Sequence, residues 1–433
     1  MKNLKRWTGG GCCLSGNGYE RRVHQAIEVF DQVVNVAVKI AWSAISIDAV
    51  LFSASMKKST SAEYVESAFE FASKVADRVD EIDESRRIPA DLAGEMADAG
   101  MFRLLIPESL GGVEIDHPSF VEIVRAFAEQ DASVAWCVNQ NNIFATDSAR
   151  MQVETAREIW GPTRGIVTNG PPSRETVAMP VEGGYRLSGH WDFSSGSSHS
   201  TWLAARAPVE GKSGEPPMFL MPKSDVKMVD TWQVNGLRGT ASFSFDVSDL
   251  FIADTHVYME SDPPKTTSPI YAIPKIPLFA IGFGTISIAL ARACLDDATA
   301  LARKKTQQAV ASAMADRSTV HLQVGETEAV LRAADNYLRT SSAALWAEAS
   351  DTGEVTTEAR IEVRMASTYA IRQSAEVVDS AYEMFGAGAI FKSNLIQRRF
   401  QDMHTIAQQI QGRSTNFETA GRYFLGLGAT GML

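Results

Sequence analysis

The sequence predicts an α+β chain in which a small β-rich region is bracketed by two helical ones. Three observations point to it. From Ser61 apolar residues recur at helical steps (Tyr64, Phe69, Phe71, Val75, Val79, Ile82), with acidic residues on the other face. From Gly165 to about residue 260 the pattern becomes short alternating runs separated by turn residues. Beyond Pro277 long segments rich in Ala, Leu, Arg and Glu return, and helices of that length joined by short turns pack as an antiparallel bundle.

Residues 1–55 stand apart. Lys2, Lys5 and Arg6, then Gly9 to Gly11 and Cys12-Cys13, lead into a mixed segment that carries Lys39 and Asp48, unlike the apolar core of a signal peptide or the length of a membrane anchor. The segment reads as an atypical extension with Met56 as the expected first residue, the alternative being a genuine extra helix. Residues 56–164 form the first helical domain: Pro89 opens a helix that ends at Gly100, a turn runs from Met101 to Gly112, and helices follow over Phe120–Gln130 and Ala132–Arg150. In the last of these, Asn139, Gln140, Asn141 and Asn142 come directly after Trp136. Amides are costly to bury without partners, so the run either lines a cavity or marks an exposed helix end.

The β domain spans 165–262, with strands at Ile166–Gly170, from Gly183, and at Met218–Met221, Val226–Val229 and Phe243–Val247. Pro263, Pro264, Pro269, Pro274 and Pro277 lead out of it into the domain 263–433, where four helices are drawn: Leu278–Lys305, Val320–Ser350, Thr357–Phe385 and Asn394–Phe424. The longest apolar run, Leu278–Ala291, contains Gly282 and Gly284 and is too short for a bilayer span, so it reads as a buried helix.

A net charge of −11 argues against nucleic acid or an anionic membrane as the main partner and leaves a small molecule as the default. Cys12, Cys13, Cys137 and Cys294 show neither a disulfide framework nor metal-ligand spacing, which points to a reducing cytoplasm and no metal. The stretch that organises the chain is Gly183–Trp202. A strand opens with Tyr185 and Leu187 and ends in Phe193-Ser194-Ser195-Gly196, an aromatic face beside hydroxyl and N–H donors suited to a flat, heteroatom-rich ligand. The plainer alternative is a Ser-rich surface loop.

The helical–β–helical order resembles the acyl-CoA dehydrogenase superfamily, and local motifs agree. Ile106-Pro107-Glu108-Ser109-Leu110-Gly111-Gly112 resembles its P-x-x-x-G-G turn, Gly386 its glycine turn before the last helix, and Arg399 with Asp402 the basic-acidic pair that follows. The likeness runs from about Ser61 to Gly426. Trp191-Asp192-Phe193-Ser194-Ser195-Gly196, with Trp202, resembles the W-x-F-x-S-G signature of the two-component (group D) flavin-dependent monooxygenases on this fold. Trp232 and Gly236–Ser242 resemble their W…G-L-R-G-T-G-S segment, with Ala241 where glycine is usual. The resemblance implies a helical domain, a central β-barrel and a C-terminal antiparallel four-helix bundle.

It also implies a flavin. Phe193 then takes the position of the ring-packing aromatic, the Ser195 hydroxyl hydrogen-bonds ring atom N5, and Thr168 and Asn169 meet the polar edge. Arg238, Thr240 and Ser242 serve flavin or substrate, and Arg303 meets a flavin phosphate from a neighbouring subunit. Trp136, Asn139, Asn142 and His199 face substrate. Seven residues past Asp402, where dehydrogenases of this fold carry a glutamate base and the hydroxylases a histidine, stands Gln409, which accepts no proton at neutral pH. His404 is a candidate stand-in, against a structural or flavin-contacting role, although a five-residue spacing does not share a helix face, and His199 is a second candidate acid or base.

The function so implied is that of an oxygenase component. It uses reduced FMN or FAD, not covalently bound, from a separate NAD(P)H:flavin reductase, and dioxygen to oxidise an aromatic, heteroaromatic or related small molecule, in a homotetramer. The chain has no Gly-x-Gly-x-x-Gly after a strand, consistent with reduction elsewhere. An FAD-dependent acyl-CoA dehydrogenase is the alternative. A non-catalytic nucleic-acid-binding relative would want a basic surface, whereas Arg398, Arg399, Arg413 and Arg422 are mixed with acidic neighbours.

Overall fold

The computed structural model of the chain describes residues 61–304 and 313–431. The extension 1–55 and Met56 lie outside the described residues. The first helical region comprises α1 (61–76), α2 (Val79–Ser85), α3 (Ala90–Asp98), α4 (His117–Gln130), α5 (Ala132–Ala145) and α6 (Val153–Trp160). Asp131 is the corner between α4 and α5. Its extended backbone ends one helix, and its Oδ1 accepts the Val134 N–H at 2.9 Å to cap the next. Every residue of α5 is buried, the four amides included, so the amide run is interior and not an exposed end.

Two four-stranded sheets follow, built from β1 (Val167–Gly170), β2 (Pro172–Val181), β3 (Gly184–Ser194), β4 (Trp202–Arg206), β5 (Met218–Pro222), β6 (Lys227–Val229), β7 (Phe243–Ala253) and β8 (Val257–Tyr258). Their orders are β1-β4-β5-β8 and β2-β3-β7-β6, with β1 parallel to β4 and the other pairs antiparallel. The expected barrel is therefore not closed. Leu187, Trp191 and Phe245 of one sheet pack with Leu203, Phe219 and Met221 of the other, and Trp191 stacks on Phe245 at 5.2 Å. Of the four edge strands, β8 and β6 are only two and three residues long. β2 was invisible to alternation because it carries prolines at 172 and 180, which an edge strand tolerates.

The rest is helical: α7 (Pro269–Ala272), α8 (Lys275–Lys304), α9 (Ser318–Thr352), α10 (Thr357–Phe385), α11 (Leu395–Ala407) and α12 (Thr415–Phe424). α8 is the axis, touching α4, α5, α9, α10 and α11. Its apolar window has mean hydropathy 1.9, yet 83% of that window is buried inside the protein, as in a core helix. The single last helix expected from Asn394 to Phe424 is in fact two. The chain breaks after Ala407 into a short turn at Ile410–Gly412, where a side chain on Gly412 would come within 2.6 Å of the Ala407 carbonyl.

A buried ion network joins these regions. Asp147 Oδ2, just beyond α5, accepts the Tyr258 hydroxyl at 2.5 Å and Lys275 Nζ at 2.7 Å; Lys275 also pairs with Glu260, which pairs with Arg206. Lys275 further lies 4.7 Å over the Phe144 ring. Burial depresses its ammonium pKa, and the Asp147 carboxylate opposes that shift.

Candidate active site

Strand β3 delivers Ser195 to the back wall of α5. Trp136 Nε1 donates to Ser195 Oγ at 3.0 Å, and Ser195 Oγ lies 2.8 Å from Ser242 Oγ, which lies 2.7 Å from Thr240 Oγ1. Thr240 Oγ1 donates to the Leu237 carbonyl at 2.8 Å. That last bond settles the direction of the whole chain, because each hydroxyl has one proton. Thr240 has spent its proton on Leu237, so Ser242 donates to Thr240 and Ser195 donates to Ser242. Ser195 has thus received one N–H, given away its only proton, and keeps one lone pair. Toward any ligand this buried hydroxyl, 6% exposed, is an acceptor.

The backbone around it is strained. Phe193 (φ 57°), Leu237 (φ 52°) and Ala241 (φ 44°) are all left-handed without being glycine, at a cost of roughly 1–3 kcal/mol each. Ala241, in the position where the motif usually has glycine, keeps the conformation glycine would supply. The twist at Phe193 throws its ring outward: it is 60% exposed, edge-on to Trp232 at 6.1 Å. An open aromatic face therefore lies two residues from the oriented Ser195–Ser242 hydroxyl pair. Behind them, Trp136 stacks on Phe283 of α8 at 3.9 Å.

The amides of α5 hold the neighbouring loops. Gln140 Nε2 donates to Asn169 Oδ1 at 3.0 Å, and Thr168 Oγ1 donates to the Ser195 carbonyl at 2.5 Å. Asn141 Nδ2 donates to the Val167 carbonyl, which leaves its Oδ1 to accept from His199 Nε2 at 3.0 Å. That bond assigns the proton to Nε2. Burial, with Lys223 adding to it, pushes the His199 pKa down to about 3, so the ring is a neutral, oriented donor stacked on Phe102 at 4.9 Å. Asn142 is spent on structure, donating to the Met101 and Val138 carbonyls and accepting from the Leu104 N–H. Asn139 is fully buried with neither amide atom partnered, its carboxamide pressed on Gly282, where a Cβ would come within 2.1 Å of Oδ1.

Other candidates lie elsewhere or are occupied. Arg238 donates to the Asp83 and Val234 carbonyls and pairs with the Asp83 carboxylate at 3.3 Å. Arg303 is exposed in the last turn of α8. His404 pairs with Asp379 at 2.7 Å and packs on Phe400, and Gln409 Oε1 accepts the Gln411 N–H at 2.7 Å, capping the turn after α11. Arg399 pairs with Asp297 rather than with Asp402.

Asp402 has a task that spacing does not show. Its Oδ1 accepts the Leu237 N–H at 2.5 Å, pinning the left-handed corner on which the hydroxyl chain ends. Burial, reinforced by Asp131, raises its pKa to about 8. A carboxyl whose folded pKa exceeds its unfolded one binds more protons when folded. Stability therefore falls as pH rises between about 4 and 8, by up to about 1.4 kcal/mol per pH unit, and is flat above. Asp402→Asn, which keeps an oxygen for Leu237, is expected to flatten that decline, as measured by thermal melts of both proteins across pH 5–8.5.

Residues 59–162 match the family model described as acyl-CoA dehydrogenase, N-terminal domain, and residues 281–412 the one described as acyl-CoA dehydrogenase, C-terminal domain. Among curated relatives, the indole-3-acetate monooxygenase of Pseudomonas putida is 27% identical over 351 residues, 81% of this chain and 90% of the relative. The flavin-dependent monooxygenase oxygenase subunit HsaA of Rhodococcus jostii is 27% identical over 339 residues, 76% of this chain and 89% of the relative. In fold, XiaF from Streptomyces sp., solved in complex with FADH2 and glycerol, superposes with a TM-score of 0.80 at 24% identity, covering 87% of this chain and 98% of that one.

Proposed function

This chain belongs to the acyl-CoA dehydrogenase superfamily, and from that premise we infer that it is the oxygenase component of a two-component flavin-dependent monooxygenase. It takes reduced flavin from a separate NAD(P)H:flavin reductase and transfers one atom of dioxygen to an aromatic, heteroaromatic or related small molecule. One observation carries this: a buried hydroxyl polarised to accept, set two residues along the chain from an open aromatic ring.

The donor set fits a flavin in its reduced state. Reduced flavin presents an N–H at N5 and oxidised flavin a bare acceptor, and only the former matches the lone pair left on Ser195. Phe193 and Trp232 would supply an apolar flank for a flat ring, and Thr168 and Asn169, tied to the Ser195 carbonyl and to Gln140, would hold its polar edge. When bound, the flavin supplies the activation of dioxygen, which no side chain can. The chain's own contribution is orientation and dryness. Trp136 and the Ser242–Thr240 pair hold Ser195 in one hydrogen-bonding sense, and the Trp136–Phe283 stack closes the wall behind it to water. His199 stays neutral and offers the acceptor Nδ1, toward which Ser198 Oγ sits at 3.4 Å. The Gln409 amide, committed to its own backbone turn, takes no proton, which speaks against the α-proton removal of a dehydrogenase.

The same reading has FMN or FAD bound without a covalent link, the long C-terminal helices as an antiparallel four-helix bundle, a homotetramer in which Arg303 reaches a neighbour's flavin phosphate, and a cytoplasmic location. The isolated chain with NADH and flavin is expected to consume almost no NADH. With a flavin reductase and a panel of phenols, indoles and thiophenes, one atom from ¹⁸O₂ is expected in a product detected by mass spectrometry. Rapid NADH oxidation by the chain alone, or bleaching of bound flavin by an acyl-CoA thioester without oxygen, would overturn this assignment.

A further inference from the structure

Away from Ser195 the C-terminal region contains a cavity of about 270 Å³ whose lining includes Arg364 of α10, Arg413, and Arg422 and Asn416 of α12. Arg364 is the unusual member, being 5% exposed with no carboxylate partner among the described residues. Its Nε and Nη2 share one acceptor, Asn416 Oδ1, at 3.2 and 3.0 Å, and its Nη1 has none. Burial lowers its pKa, with no nearby anion to oppose the shift. Arg103 shows how this chain otherwise treats such a group: equally buried, its guanidinium is met by the carbonyls of Trp160, Pro162, Leu110 and Gly111.

A buried cation without a counter-charge is expensive. The surroundings of Arg364 add positive charge instead of cancelling it. Arg422 has an unpartnered buried Nε, Arg413 is exposed on the same cavity, and α12 starts there at Thr415 with no side-chain cap from Ser414. Glu418 is the one carboxylate among the described lining residues, and no ion pair among the described residues joins it to the three arginines. Nor can Asn416 turn to help, because its Nδ2 is already held by Thr368, Ile410 and Gln411.

We propose that this cavity is an oxyanion site for a phosphate group, held by the Arg364, Arg413 and Arg422 guanidinium groups at the start of α12. Guanidinium forks match the tetrahedral oxyanion, and a helix start favours negative charge. The site is independent of the flavin reading, since none of its residues takes part in the hydroxyl chain at Ser195.

The test is calorimetric titration of the full chain with inorganic phosphate at constant ionic strength, chloride as the control, on wild type, Arg413→Gln and Arg422→Gln. Saturable binding by wild type, weakened at least tenfold in either variant, is expected, together with a phosphate-dependent rise in melting temperature of roughly 2–5 °C that the variants lose. Binding that is absent, or equal in all three proteins, overturns the proposal. A third arm adds FMN and riboflavin. Phosphate displaced by FMN but not by riboflavin would make this the flavin's own phosphate pocket and overturn a separate site; phosphate retained beside bound FMN supports it.

Discussion

Ser195→Ala is expected to weaken binding of reduced FMN by about 10- to 100-fold while changing the affinity for oxidised FMN much less. The asymmetry follows from the proton count along Trp136, Ser195, Ser242 and Thr240: Ser195 meets its ligand with a lone pair, so its loss is felt by a ligand N–H and hardly by a bare nitrogen. The substitution also strands the buried Trp136 N–H, adding about 1–3 kcal/mol of instability. Ser242→Ala provides the complementary case. With its acceptor gone, the Ser195 proton is free to turn toward the ligand, and affinity for oxidised FMN is expected to rise. Anaerobic fluorescence titrations of the three proteins with both redox states measure all four changes. Equal losses for both states in Ser195→Ala would show that the hydroxyl is not polarised as described.

Lys275→Met is expected to destabilise the fold by about 3–5 kcal/mol, the usual cost of breaking a buried pair from one side. The methionine fills the space, but Asp147, 1% exposed, keeps only the Tyr258 hydroxyl, and Glu260 loses its second cation. Because Asp147 follows α5, Tyr258 ends β8 of the β1-β4-β5-β8 sheet and Lys275 starts α8, one ammonium group joins all three regions. Chemical denaturation should show the midpoint falling. The double replacement Lys275→Met with Asp147→Asn is expected to recover part of the loss, because it removes the stranded charge.

The order of elements could be read from periodicity because helices and half-buried strands write their repeats into consecutive residues. α3, β3 and α10 lie within a few residues of where the pattern puts them. Readings that failed did so where a local rule met a non-local fact. β2 carries prolines that an edge position permits, the strands form two separate sheets in place of a closed barrel, and the last helix breaks at a turn whose Gly412 leaves no room for a side chain beside the Ala407 carbonyl. At the site, the resemblance assigned Ser195 to the flavin and Thr240 and Ser242 to flavin or substrate, and the structure joins their three hydroxyls in one chain. Motif and spacing gave Trp136 and Asp402 no link to them.

Composition and repeat thus determined the helical–β–helical order of this protein and the strand end that carries Phe193 and Ser195, since each follows from neighbours in sequence. The direction in which the Ser195 hydroxyl points its proton was decided in three dimensions. It depends on a tryptophan 59 residues away, a serine 47 residues away, and an aspartate that steadies Leu237 from 165 residues along the chain. A hydroxyl has one proton and will give it to whichever acceptor folding brings near, and only the packed structure brings these acceptors near.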